Sequence, residues 1–246
     1  MTSSAFTLII TNPARYATNN VEIRIANNDC DNLGLSAQDV KDMVAISVGQ
    51  YWNTVPSSKI RFHSGSFVDV AEDASLTDMK NSIEDNQIII GCSKNSDLFD
   101  SANILAVGTM TVSAPARGIV AINNTAGSRF SSLSESNQRA TLAHEMGHAI
   151  GIGHSTHEYA LMYFVLSESI KQESLARDDS DAITFLYPNK SKVPFLLGSC
   201  GQIRDIADKD LWFNYIFVLS VLALFLMWFF VAGSFNEMQK PQRMKL

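Results

Sequence analysis

Three of the five histidines in this 246-residue chain fall within one short stretch, HEMGHAIGIGHS at 144–155. His144 and His148 are four residues apart, which on a helix places them on one face, about 6 Å from each other. Their imidazoles can then converge on a single metal ion. Glu145 sits one residue from the first of them, off the ligand direction but able to lean over the open side of the ion. This is the spacing at which HExxH binds zinc and uses its glutamate as general base. Gly151 falls where such a helix should stop, and glycine lets the backbone take a positive φ and turn sharply. The turn can deliver His154 to the same ion. Three histidines leave a fourth tetrahedral position for water, the mark of a catalytic rather than a closed structural zinc site. The competing explanation, three unrelated packed or solvated imidazoles, accounts for any one of them but not for the spacing together with Glu145 and Gly151.

The flanking residues supply the means to hold this stretch. Ser132 and Glu135 are spaced as a capping box, and Leu142, Ala143, Met146, Ala149 and Ile150 give the helix apolar positions for a core. Upstream, strand and helix patterns alternate. VEIRIA (21–26) reads as a half-buried strand. SAQDVKDMVAISVGQYW (36–52) reads as a helix starting at Ser36, with Val40, Met43, Val44, Ile46, Val48 and Tyr51 as its apolar positions. KIRFHSGSF (59–67) is a second strand and NQIIIGC (86–92) a third, apolar enough to be central. ILAVGTMTV (104–112) and RGIVAINN (117–124) form a hairpin-like pair. The order implies an α/β (α+β) domain with a mostly parallel sheet.

HExxHxxGxxH followed by a Met-turn resembles the metzincin metallopeptidases, with Met162 of ALMY (160–163) eight residues after His154. Ser155, directly after the third histidine, is similar to the matrixin branch, as are HSTHEYALMYF and LARDDSDAITFLYP (175–188). The resemblance implies a twisted five-stranded, mostly parallel sheet, a backing helix, a zinc-binding helix and a C-terminal helix, over residues 20–188. It further implies one catalytic zinc on His144, His148 and His154, Glu145 as the catalytic base, and Met162 as a hydrophobic floor under the metal. Asp178 and Asp179 would brace the Met-turn; on residue type alone they equally suit a solvated acidic first turn. Tyr163 and Phe164 are either walls of a substrate pocket or core packing of the lower subdomain. The 104–112 strand would be the antiparallel edge above the cleft, to which an extended peptide adds by main-chain hydrogen bonds. Three departures limit the carry-over. No counterpart of the inhibitory propeptide with its cysteine switch precedes the first strand. Val107 stands where many vertebrate matrixins carry a histidine of a structural-zinc loop. His157 stands where an acidic residue is common. Calcium has no support in the sequence.

A net charge of −6 with 46% apolar residues gives no sign of nucleic-acid binding. Cys30 and Cys92 follow or end strands that should be neighbours, so they are either a disulfide or two free, half-buried thiols. After a linker at 189–210, the segment 211–232 holds 22 residues without a charge. As a helix it would span about 30 Å, a bilayer core, leaving a short basic tail at 233–246. Residues 1–19 read as an N-terminal extension in which FTLII is too weak for a signal peptide. Lys240, Arg243 and Lys245 after the span favour a cytoplasmic C-terminus and an extracytoplasmic catalytic domain. The missing signal peptide favours a tail-anchored cytosolic enzyme instead, and GSCG (198–201) before the apolar run also resembles a cleaved sorting signal. The reading taken is a membrane-anchored zinc endopeptidase with a protein or peptide substrate, contacting the bilayer through 211–232. Its rivals are a catalytically silent binding module on the same fold and a metzincin-type aminopeptidase. The oligomeric state is open.

Overall fold

The structure is a computed structural model that describes residues 6–165 and 172–190. Its centre is a five-stranded sheet formed by β1 (Asn20–Ala26), β2 (Arg61–Val68), β3 (Ile88–Ser93), β4 (Ala106–Met110) and β5 (Gly118–Asn123). The spatial order is β2-β1-β3-β5-β4. The first three pairings are parallel, and only β4 runs antiparallel, at the outer edge beside β5. The mixed α/β architecture expected from the sequence is therefore present, with the expected antiparallel edge strand.

Every residue of β3 and β5 is buried, as expected of strands covered on both faces. Strand side chains alternate between faces, and here the alternation divides them between two cores. Ile88, Ile90, Val120 and Ile122 join the larger core with Val21, Ile23 and Ile25 of β1. Ile89, Ile119 and Ala121 point into a smaller one on the opposite face. The larger core is closed by α1 (Ala37–Gln50) and α3 (Glu135–Ala149), through Val40, Val44 and Val48 of the first and Leu142, Ala143, Met146 and Ala149 of the second. The smaller is closed by α2 (Leu76–Asn81), with Met79, Ile83 and Phe99. A single fully buried isoleucine of this kind contributes about 1.5–3 kcal/mol by removal from water.

Several sequence expectations are corrected. The helix α2 was not anticipated: six residues are too few for a periodic pattern, although Ser75 and Asp78 form a capping box at its start. Ile46, expected on the apolar face of α1, is 51% exposed; it lies on the opposite side from the Val40–Val44–Val48 stripe. The cap of α3 is Ser134, whose Oγ accepts from the Asn137 amide, not Ser132. Ser132 closes a preceding 3₁₀ turn, donating to the Arg129 carbonyl at 2.6 Å. Glu135 is thus the first helical residue and pairs one turn on with Arg139.

Residues 6–19, expected outside the domain, are built into it. Ala14 and Tyr16 are buried in the larger core, and Phe6, Leu8 and Ile9 pack against it. The Tyr16 hydroxyl donates to the carbonyl of Ala149 at 2.8 Å, at the end of α3. Cys30, just past β1, and Cys92, within β3, form a disulfide with a Cα–Cα distance of 5.5 Å. Closing a loop with a sequence separation of 62 stabilises the fold by about 4 kcal/mol on a chain-entropy account. Among the described residues no helix is long and apolar enough to cross a membrane; the segment 211–232 lies outside them.

Candidate metal centre

The helix α3 carries His144 and His148 because its other face is occupied by the core. Leu142, Ala143, Met146 and Ala149 are all fully buried, and the indole of Trp52 donates to the Ala143 carbonyl at 2.8 Å. That leaves positions 144, 145 and 148 toward the cleft. The helix then ends in a Schellman motif: Ile152 N–H donates to the Gly147 carbonyl at 2.9 Å and Gly151 N–H to that of His148 at 3.1 Å. Gly151 has φ +103°, a conformation that a Cβ would strain. The reversal brings His154 back to the helix, and the three imidazoles offer ligand atoms that all lie within 4.8 Å of one another. His148 Nε2 and His154 Nε2 are 3.2 Å apart.

Two of the rings are oriented from behind. His144 Nδ1 is 2.7 Å from the Leu161 carbonyl, and His148 Nδ1 is 2.9 Å from that of Ile152. A carbonyl oxygen only accepts, so each Nδ1 carries the proton and each Nε2 presents a lone pair to the centre. Burial lowers the pKa of His144 to about 3, aided by the neighbouring His148, and that of His148 to about 4. Desolvation lowers His154 as well. Both helical imidazoles are therefore neutral near pH 7, the form in which histidine binds a metal. A set of neutral nitrogen donors with an open fourth side fits zinc.

His154 has no helix to hold it, and its loop is tied from three directions. The Met-turn is one: Ser155 N–H donates to the Met162 carbonyl at 2.7 Å. Met162 itself is 1% exposed and packs on Gly147, where a Cβ would collide with its sulfur. It therefore lies against α3 between the two helical ligands. The second is α4 (Arg177–Leu186). Asp179 accepts the amides of Leu161, Met162 and Ala176 at 2.8, 3.0 and 2.8 Å, and Asp178 accepts the Ser155 hydroxyl at 2.6 Å. Both aspartates are buried, which excludes the solvated first-turn alternative. Burial raises the Asp179 pKa, while its three amide donors work against that rise.

The third tie comes from the N-terminal segment and had no signal in the sequence. Leu8 bridges Ile152 in antiparallel fashion. Gly153 N–H donates to the Thr7 carbonyl at 2.8 Å and Ile9 N–H to that of Gly151 at 3.1 Å. The Thr7 hydroxyl reaches the His154 carbonyl at 2.7 Å, and Phe6 packs on Phe185 of α4. The partners are some 147 positions apart, so no local pattern could reveal them.

Glu145 lines the cleft beside His144. Desolvation pushes its carboxyl up to about 8, opposed by a hydrogen bond from the Gly108 amide of β4. A cavity of about 450 Å³ opens beside these residues, between β4, α3 and the chain after the Met-turn. Tyr163 and Phe164 line it, and Phe164 is 62% exposed, so core packing is excluded for Phe164. Its ring stands 6.4 Å from that of His154. Gln172, missed in the sequence, also lines the cavity and is held by its bond to the Ala160 carbonyl.

A family model described as matrixin matches residues 14–188. The match begins within the N-terminal segment that braces the third histidine and ends just beyond the helix that braces the Met-turn. This chain belongs to the matrixin family of zinc metallopeptidases.

Proposed function

We propose that the protein is a zinc-dependent endopeptidase that hydrolyses peptide bonds with Glu145 as general base, tethered to a membrane through residues 211–232. The observation that carries the reading is the convergence of His144, His148 and His154, with Glu145 lining the same cleft as His144. When bound, zinc supplies Lewis acidity toward water and a carbonyl oxygen, and a positive charge that draws the Glu145 carboxyl toward its ionised form. The protein's own part is positional and acid-base. The Nδ1 bonds to Leu161 and Ile152 hold the two helical rings in the ligating tautomer. Glu145 accepts a proton from the attacking water and delivers it to the departing amine. A carboxyl with raised proton affinity suits both halves of that exchange near neutral pH. On its free side β4 offers main-chain groups to an extended peptide, which favours cleavage within a chain over removal of terminal residues.

The membrane tether rests on the 22 uncharged residues of 211–232. An extracytoplasmic catalytic domain is supported by the basic residues after that span and by the Cys30–Cys92 disulfide, since such bonds persist in oxidising compartments. Protease treatment of intact cells tests this: protection of residues 1–210 until permeabilisation would place the domain in the cytosol.

The catalytic reading is tested with two variants. Glu145→Ala should bind zinc with wild-type stoichiometry and lose at least ~10²-fold in peptide turnover, the low end for an acid-base residue. His154→Ala should lose metal and activity together. Retention of more than a few per cent of turnover by the Glu145 variant rejects it as the base, and a wild-type protein that binds peptides without cleaving them is a binding module.

A further inference from the structure

The cavity beside Glu145 has an uneven lining. Leu105, just before β4, Leu133 and Ala140 give it apolar walls, and Thr141 donates its hydroxyl to the Asn137 carbonyl at 2.8 Å. The small side chains at 140 and 141, one helical turn before His144, leave the passage open. The lining also includes the polar side chains of Asn103 and Arg129. Apart from Glu145, Arg129 is the only one of the described residues lining the cavity whose side chain is a carboxylate, ammonium or guanidinium.

Arg129 is anchored by its backbone. Its amide donates to the Ala102 carbonyl at 3.2 Å, and its carbonyl accepts from both the amide and the hydroxyl of Ser132, at 3.1 and 2.6 Å. The guanidinium is hardly engaged: Nη1 makes a long 3.4 Å contact with Asn103 Oδ1. Among the described residues it has no carboxylate partner. Arg117, Arg139 and Arg177 each have one, in Asp85, Glu135 and Asp181, whereas Arg24 and Arg61 donate to backbone carbonyls instead. What sets Arg129 apart from the other described arginines is its place on the wall of this cavity. A guanidinium presents five donors in a planar fork matched to a carboxylate.

We propose that Arg129 sets the specificity of this cleft and that its preferred substrates are peptides carrying a carboxylate near the cleaved bond, on an acidic side chain or at a free chain end. The proposal rests on the peptidase reading above and adds the substrate class to it. Arg129 is exposed, so the attraction is partly screened and depends on salt. Its effect is a preference of roughly fivefold at physiological ionic strength, not an absolute requirement.

The test uses the full-length Glu145→Ala protein, loaded with zinc, and competition against a labelled neutral peptide. Glu or Lys is placed in turn at each of three positions on either side of the scissile bond, with amidated and free C-termini. The proposal expects at least one position where Glu binds about fivefold tighter than Lys. The preference, taken as the ratio of Glu to Lys peptide within each protein, should fall within twofold on adding Arg129→Ala and invert with Arg129→Glu. Tighter binding of the neutral peptide only when its C-terminus is free would assign the carboxylate to the chain end. Equal binding of Glu and Lys peptides throughout, or a preference that survives Arg129→Ala, overturns the proposal. The same peptides given to the wild-type enzyme separate the two claims. Cleavage without preference sinks the role of Arg129 alone, and preference without cleavage sinks the peptidase reading alone.

Discussion

Of the three imidazoles that could hold a metal, two are held in one way and the third in another. His144 and His148 ride on α3, so their separation is a property of helical geometry, and each needs only one outside carbonyl to set its ring. His154 rides on a loop. Its position is the sum of a glycine turn, the Met-turn, two buried aspartates of α4 and the N-terminal segment. Damage to the helical side should therefore act through the ligand that is lost. Damage to the loop side should reduce fold stability and metal affinity together, because the same contacts serve both.

The largest effect is expected from Asp179→Ala. It strands two buried amides and one part-buried one, and at about 1–3 kcal/mol for each buried unsatisfied group a loss near 3 kcal/mol follows. Thermal denaturation with and without zinc measures it. A variant with wild-type stability and undiminished zinc affinity would break the comparison. Gly151→Ala comes next, since φ +103° lies where an L side chain costs about 1–3 kcal/mol. Zinc titration of this variant should show weakened affinity with all three histidines intact. Ala149→Gly, only two residues earlier but inside the helix, should cost about 1 kcal/mol and leave zinc affinity nearly unchanged.

The metal-free domain should also show an unusual pH dependence. Unfolded histidine takes a proton below 6.5, whereas folded His144 and His148 resist until about 3 and 4. The unfolded state then binds more protons, and stability falls as pH drops from 6.5 toward 4. Glu145 acts in the opposite sense. Its folded carboxyl keeps a proton up to about 8 against 4.5 unfolded, so its contribution is lost as pH rises through that window. Two histidines outweigh one glutamate below 6.5, which places the maximum near that pH. Glu145→Gln should raise the melting temperature of the metal-free domain at pH 8 and change it little at pH 5. Equal shifts at both values would reject the perturbed carboxyl. The smallest effect should come from Thr7→Val, which removes one exposed hydroxyl bond to the His154 carbonyl. It should cost about 0.5–1 kcal/mol with a modest rise in zinc dissociation constant, visible only by direct comparison with wild type.

The same division describes what was legible in the chain. Ligand identity, helix and turn were readable because they depend on spacings of four residues and on one glycine, and Ser36 and the β3 run were readable for similar local reasons. The start of α3 was displaced by two residues because Ser132 and Ser134 both satisfy a serine-before-helix pattern. Only the 3₁₀ turn at Phe130–Ser132 decides between them. Asp178 and Asp179 could be a wet helix start or a buried brace, and composition does not distinguish these. Burial against the Met-turn does.

By itself the sequence determined the chemistry: which side chains can bind a metal, which can move a proton, and the helical repeat that sets two ligands side by side. Short-range geometry follows from residue order, so it is written where it acts. The tertiary structure alone decided that residues 6–9 support the loop of the third histidine, that Cys30 and Cys92 meet, and that Arg129 lines the cleft. Those outcomes depend on chain segments distant in sequence being packed together by a shared core, and no local pattern records which distant surface a segment will find.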